Sequence, residues 1–326
     1  MYKVIITDYV TNPNIEGRVL GEKFNIICLN QEDEKSFSRE IEDADAILVW
    51  HARLTDYTFK KLKKCKVIIK YGTGYDNVNV EECKKFNIPF CNTPDYGVEE
   101  VADTATALIL NFIRQIKYYD NISKVIKLGW QRGSEFELKR TNKHKLGIVG
   151  CGRIGTAVSQ RMKAFGLEIA FFDPYKPSGY EKSIGLKRFD SLEELIGFSS
   201  IITLHTPLDN YTRGLINQKL IKKFNKNTIL INTSRGPIVD SLDSLLFGLE
   251  NNYISFLGLD VLPEEPPAKN EKLIRTWKND LKISNRIIIS PHSAYYSLDS
   301  WPEMREKSSQ NLKNYILNGT LKNLIN

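Results

Sequence analysis

Lys145-Leu146-Gly147-Ile148-Val149-Gly150-Cys151-Gly152-Arg153-Ile154-Gly155, with the residues that follow it to Asp173, decides how the whole chain reads. An apolar run with strand character feeds into Gly150-x-Gly152-x-x-Gly155. Val158, Met162 and Phe165 then recur at the spacing of one buried helix face. A second apolar run, Ile169-Ala170-Phe171-Phe172, ends on Asp173. Strand, tight turn, helix, strand and terminal acid in that order form a dinucleotide-binding unit. Gly150 permits the turn, Gly152 lets backbone approach a pyrophosphate, and Gly155 lets the helix lie close to the strand. The N–H groups of Arg153 and Ile154 open that helix, where its dipole favours phosphate. Asp173 is placed to accept hydrogen bonds from ribose hydroxyls and would repel a 2′-phosphate. The cofactor expected is therefore NAD (NADH).

Working outward, residues 1–96 repeat one small unit. Apolar runs at Val4–Thr7, Asn25–Leu29, Ala46–Trp50, Val67–Lys70 and Pro89–Asn92 alternate with polar, helix-like stretches. Such alternation predicts a parallel sheet with helices on its faces. The closely spaced glycines of Tyr71-Gly72-Thr73-Gly74 present backbone N–H groups, a natural site for a carboxylate. Thr93-Pro94-Asp95-Tyr96-Gly97 breaks the pattern and marks a domain crossing. A long helix is predicted from Val98 to about Tyr119, with Val101, Thr104, Ala105, Leu108, Ile109 and Phe112 as its apolar stripe. Residues 120–144 are irregular, and Trp130 is expected to dock against a neighbouring element.

Beyond Asp173 the alternation resumes. Helices are predicted at about 192–196, 215–224 and 242–250, and strands at Ile201–His205, Thr228–Asn232, Phe256–Asp260 and Ile287–Ser290. Ligands of open α/β sheets bind beyond the carboxyl ends of the strands. Thr206, Arg235, Asp260, Glu265 and His292 all lie at or just after such ends. A last helix from Ser297 to about Leu317 is expected to return to the first domain. The fold class expected is α/β, with two doubly wound parallel-sheet domains, a Rossmann cofactor domain and a flavodoxin-like substrate domain, and the active site in the cleft between them. The substrate-binding domain is residues 1–96 and 297–326, and the NAD-binding domain is residues 97–296.

Composition narrows the classes. The chain has 326 residues, 41% of them hydrophobic and 26% charged, as expected of a soluble globular protein. No apolar run reaches the length that spans a bilayer, and the N-terminus has no signal-peptide pattern. The five cysteines are odd in number and form no Cys-x-x-Cys pair, which points to a reduced, cytoplasmic location and no structural metal. The net charge of +7 comes from lysines scattered along the chain, so neither nucleic acid nor membrane is expected as a partner.

Four ordered motifs carry a family resemblance: Gly150-Cys151-Gly152-Arg153-Ile154-Gly155, Asn232-Thr233-Ser234-Arg235-Gly236, Leu259-Asp260-Val261 with Glu264-Glu265-Pro266, and Ser290-Pro291-His292-Ser293-Ala294. Together they resemble the D-isomer-specific 2-hydroxyacid dehydrogenases over almost the whole chain. Trp50-His51, the Tyr71–Asn77 loop and Ala294-Tyr295-Tyr296-Ser297 look most like the C-terminal-binding-protein branch. The resemblance implies reversible, NAD-linked reduction of a 2-oxo acid to a D-2-hydroxy acid by a homodimer. Arg235 would hold the substrate carboxylate and 2-oxo oxygen with its planar fork. His292 would exchange a proton with the carbonyl oxygen. Glu265 would orient His292 and favour its charged form.

Asp260 would face the nicotinamide, and His205, Thr206, Pro207, Thr233 and Ser234 would line the cofactor cleft. The backbone N–H groups of Tyr71, Gly72, Thr73 and Gly74 would take the substrate carboxylate. Lys70 stands where the similar branch carries arginine, and Tyr295 where it carries tryptophan, so that wall is smaller and more polar here. Lys70, Arg53 and His51 suggest a second anionic group on the preferred 2-oxo acid. The chain stops at Asn326, and no extra C-terminal regulatory domain is expected. The alternative reading is an NAD(H)-sensing, protein-binding corepressor-like module without metabolic turnover.

Overall fold

Among the described residues, the central apolar runs such as Ala46–Val49, Val67–Lys70, Ile201–Leu204 and Thr228–Asn232 become strands because each is buried along its whole length in a parallel sheet, where side chains on both faces leave water. The computed structural model describes residues 1–124 and 138–326. The expected docking of Trp130 falls outside the described residues. By contacts the chain forms two units, Met1–Gly97 with Tyr296–Asn326, and Val98–Tyr295.

The first unit holds β1 (Tyr2–Ile6), β2 (Phe24–Cys28), β3 (Ala46–Val49), β4 (Val67–Lys70) and β5 (Phe90–Cys91) in the order β2-β1-β3-β4-β5. Every pairing in this sheet is parallel. Ile5, Ile47, Val49 and Ile68 are fully buried and pack with Phe59 and Phe90 in its core. Two of the short helices here, Asp56–Phe59 and Val80–Lys85, are started by side-chain caps. Asn79, for example, accepts from Glu81 and Glu82 N–H ahead of Val80–Lys85. The final helix, Ser300–Asn318, belongs to this unit.

The second unit holds β6 (Lys145–Val149), β7 (Glu168–Phe172), β8 (Lys187–Arg188), β9 (Ile201–Leu204), β10 (Thr228–Asn232), β11 (Ile254–Leu259) and β12 (Ile287–Ile289). The order is β12-β11-β10-β9-β6-β7-β8, again parallel. The sequence direction reverses beside β6, between β7 and β9. A crevice forms at such a switch point.

Two expectations change. The long helix is two helices, Val98–Arg114 and Ile116–Ser123, because Gln115 takes the left-handed conformation (φ 56°) and its side chain donates to Phe112 O at 2.9 Å. The expected 215–224 helix shrinks to Gln218–Ile221. Ile216 is drawn into a parallel bridge with Val239, and Asn217 caps the turn that remains. The apolar stripe of Val98–Arg114 is buried inside the second unit, where Ala105, Leu108, Ile109 and Phe112 pack with Ile148, Ile231 and Phe256.

Candidate active site

At the switch point, the fingerprint turn has the geometry a dinucleotide needs. Gly150 sits at φ 88°, and a Cβ there would stand 2.8 Å from the backbone of His205. A Cβ at Gly155 would meet Gly150 O at 2.2 Å, so helix Arg153–Ala164 starts hard against the strand end. A Cβ at Gly152 would meet nothing within 4 Å, which leaves the approach to that backbone open. The helix begins with Arg153 and Ile154, one exposed and one half-buried.

A cleft of about 960 Å³ opens here. Gly150, Gly152, Asp173, His205, Thr206 and Pro207 are among its lining residues. Asp173, 9% exposed, accepts from Cys151 N–H through Oδ2 and from Tyr175 N–H through Oδ1, each at 3.0 Å. His205 bonds Thr203 Oγ1 through Nε2 at 2.9 Å. Its Nδ1 is shut off from water, and burial pushes its pKa down to about 3, so it is neutral at physiological pH.

His205 Nδ1, Thr206 Oγ1 and Thr233 Oγ1 are buried without a protein hydrogen-bond partner. Such atoms are costly unless a ligand or water satisfies them. With the open backbone at Gly152, they fit NAD.

A second cluster forms beyond β10, β11 and β12. Glu265 Oε2 lies 2.7 Å from His292 Nδ1, and its Oε1 accepts from Leu262 N–H at 2.8 Å. Burial works to raise the Glu265 carboxyl. The His292 hydrogen bond and charge, the Leu262 N–H and the Arg235 charge outweigh it and hold the group below the usual carboxylate range. His292 itself sits at φ 53°, which a non-glycine residue rarely adopts. Its ring meets Tyr295 edge-on, with centroids 6.4 Å apart.

The His292 conformation is held from below by Asp260, only 2% exposed. Asp260 Oδ1 accepts from Ser290 Oγ at 2.6 Å and Ser293 N–H at 3.0 Å, while Oδ2 accepts from Ala294 N–H at 3.0 Å. His292 N–H donates to Asp260 O at 2.8 Å. Asp260 thus shapes the turn that carries His292, beyond any contact with a cofactor. Ser290 is a site residue the sequence reading passed over. Arg235 follows β10, where Asn232 accepts from both Ser234 N–H and Ser234 Oγ and donates to Arg235 O. Arg235 Nη1 donates to Ser234 O at 2.8 Å.

In the first unit, the expected carboxylate loop is modified in one respect. Tyr71 N–H is committed to Val49 O at 2.8 Å, and its ring is fully buried with its hydroxyl donating to Glu16 at 2.9 Å. Tyr71 therefore anchors the loop instead of offering an N–H to an anion. Gly72, at φ 99°, leads into Thr73 and Gly74. Lys70 is 5% exposed, and its ammonium donates to Trp50 O and to Tyr71 O. These two bonds join the ends of β3 and β4.

His51 is a half-exposed ring stacked on Trp50, with interplanar angle 19°. Its Nδ1 is 3.8 Å from Asp8 Oδ2. Asp8, buried at the end of β1, also accepts from the N–H groups of Trp50 and His51. It obeys the same strand-end rule that picked out Asp173 and was legible on that ground.

Comparison with known proteins follows the same lines. The family model described as the D-isomer specific 2-hydroxyacid dehydrogenase, NAD binding domain, matches residues 106–294. The chain is 34% identical over 276 residues to D-3-phosphoglycerate dehydrogenase of Bacillus subtilis, covering 83% of this chain and 50% of that one. It is 31% identical over 294 residues to C-terminal-binding protein 1 of Caenorhabditis elegans, covering 89% and 40%. The chain thus spans half or less of the length of these two relatives. A crystal structure of D-lactate dehydrogenase from Aquifex aeolicus, complexed with NAD and lactic acid, superposes with a TM-score of 0.86 at 27% identity, covering 99% of this chain and 98% of that one.

Proposed function

The chain belongs to the D-isomer specific 2-hydroxyacid dehydrogenase family, and from that premise we propose that it interconverts a 2-oxo acid and a D-2-hydroxy acid with NAD. The observation that carries this is the Glu265–His292 pair at 2.7 Å, with the Arg235 charge bearing on the same carboxylate. NADH, when bound, supplies the hydride. His292 gives its proton to the 2-oxo oxygen in reduction and takes one back from the hydroxyl in oxidation. Glu265 keeps the imidazole oriented and supports its positive charge. Arg235 holds the carboxylate and carbonyl with a fork that fixes geometry as well as charge. Asp260 and Ser290 hold the turn that presents His292. The substrate roles expected of His51, Lys70, Gly72, Thr73, Gly74 and Tyr295 are part of this proposal, with Lys70 and Tyr71 acting through the loop they brace.

The same proposal includes a homodimer and a cytoplasmic location. Among the described residues no helix is long and apolar enough to cross a membrane. The stripe on Val98–Arg114 is covered within the unit, so a dimer surface there would use exposed positions such as Asp103, Ala107 and Arg114.

The test is turnover of a panel of 2-oxo acids with NADH and with NADPH, alongside Arg235→Lys. Wild type should reduce at least one 2-oxo acid and prefer NADH, because Asp173 faces the cleft. Arg235→Lys keeps the charge and loses the fork. Turnover should fall roughly ten- to hundred-fold, the equivalent of one charged hydrogen bond, with NADH affinity nearly intact. No turnover on any member of the panel would favour the NAD-sensing alternative.

A further inference from the structure

Three side chains converge on Cys151, the residue between the first two glycines of the fingerprint. Asp173 Oδ2 accepts its N–H at 3.0 Å. The Tyr180 hydroxyl donates to its carbonyl oxygen at 3.2 Å. Thr156 Oγ1 lies 3.1 Å from that hydroxyl and 3.7 Å from Cys151 Sγ. Both backbone poles of one turn residue are therefore held by side chains from outside the turn.

The turn needs such holding. Cys151 is flanked by Gly150 and Gly152, and glycine imposes little preference on the chain. The Cys151–Gly152 peptide is planar and rigid, so fixing its carbonyl also fixes the direction of the Gly152 N–H at its opposite edge. Backbone N–H groups bind an anion well only when they are already aimed.

Tyr180 is suited to aim them. It opens the helix Tyr180–Ile184, a few residues beyond β7. Its ring packs edge-on to Phe171, with centroids 6.1 Å apart and planes at 88°. The Lys176 ammonium lies 4.9 Å from the ring centroid. The ring is held by packing and the hydroxyl by Thr156, leaving the O–H directed at the turn.

We propose that Tyr180 is a positioning residue for the cofactor's pyrophosphate: its hydroxyl holds the Cys151 carbonyl and so sets the peptide plane that follows it. The proposal deepens the assignment of the second unit as an NAD-binding domain. It has a corollary for Asp173. The carboxylate at the ribose end of the cleft is also a fastening of the turn, so replacing it loosens pyrophosphate binding along with ribose recognition.

Tyr180→Phe keeps the ring and its contact with Phe171 and removes only the hydroxyl. Dissociation constants would be measured by calorimetry for NADH, ADP-ribose and adenosine, with a thermal midpoint for each protein. NADH and ADP-ribose should bind about three- to ten-fold more weakly, the scale of one lost hydrogen bond. Adenosine carries no pyrophosphate, and its affinity should stay within about two-fold on the same reasoning. Unchanged affinity for NADH and ADP-ribose would overturn the proposal. An equal loss for adenosine, accompanied by a lower midpoint, would also overturn it, because Tyr180 would then serve only general stability.

Discussion

Glu265 does its work by staying ionised. Its carboxyl is held below the usual range by His292, by the Leu262 N–H and by Arg235, against the opposing effect of burial. A carboxylate with a depressed value contributes stability above its unfolded pKa of about 4.3 and loses it as pH falls through the folded value. It therefore carries negative charge throughout the neutral range in which His292 must hold its proton for reduction. Glu265→Gln keeps a hydrogen-bonding side chain and removes the charge. Reduction should then fall off at lower pH than in wild type as pH is raised, with NADH affinity almost unaltered. Rate against pH, measured where chemistry limits turnover, decides this. A falling limb that stays in place or moves to higher pH would separate Glu265 from His292 as a working pair.

At the scale of elements, the acid–base cluster depends on two strand-end loops meeting at close quarters. Gly236 follows Arg235 and starts the short turn Gly236–Ile238. A Cβ there would stand 1.8 Å from Leu262 O and 2.1 Å from Leu262 C, and both are backbone atoms that cannot rotate away. Leu262 N–H in turn holds Glu265. Gly236→Ala must push the Arg235 loop and the Glu265 loop apart. The cost in stability should be about 1–3 kcal/mol, as for overpacking a filled interior. Turnover should drop by about ten-fold or more, since small misplacements of catalytic groups are expensive. Near-normal kcat with only a lowered thermal midpoint would show that the two loops need not be held together for chemistry.

For the molecule as a whole, both chain ends build the first unit. Phe90 N–H donates to Asn326 Oδ1, Ile325 N–H donates to Phe90 O, and Cys91 pairs with Leu324. The strongest tie is buried. Arg305, on the last helix, donates to Glu16 through Nε at 2.8 Å and Nη2 at 2.6 Å, and Glu16 is fully buried. Tyr71 completes the group through its hydroxyl. Arg305→Met should cost about 3–5 kcal/mol, because a buried carboxylate loses its counter-charge. Adding Glu16→Leu should recover much of that loss, since a well-packed apolar pair often matches a buried ion pair. Urea unfolding of the single and double variants reads both effects. A double variant as unstable as the single one would mean that packing, not charge, is the issue.

Sequence by itself determined what is local. Apolar runs four to six residues long and the polar stretches between them specify parallel strands and helices, because burial follows residue type along a few turns of chain. The glycine spacing and the acid ending the next strand specify a dinucleotide unit, since each of those residues answers a steric or electrostatic demand within one βαβ segment. Arg235, Glu265 and His292 were legible as polar residues at strand ends. Tertiary structure decided who meets whom. Glu265 and His292 are 27 positions apart, and their contact depends on how β11 and β12 lie side by side. The commitment of Tyr71 N–H to Val49, the break at Gln115 and the grip of Tyr180 on Cys151 have the same origin. Each is a hydrogen bond chosen by which groups packing leaves without water, and no periodicity in the sequence records that choice.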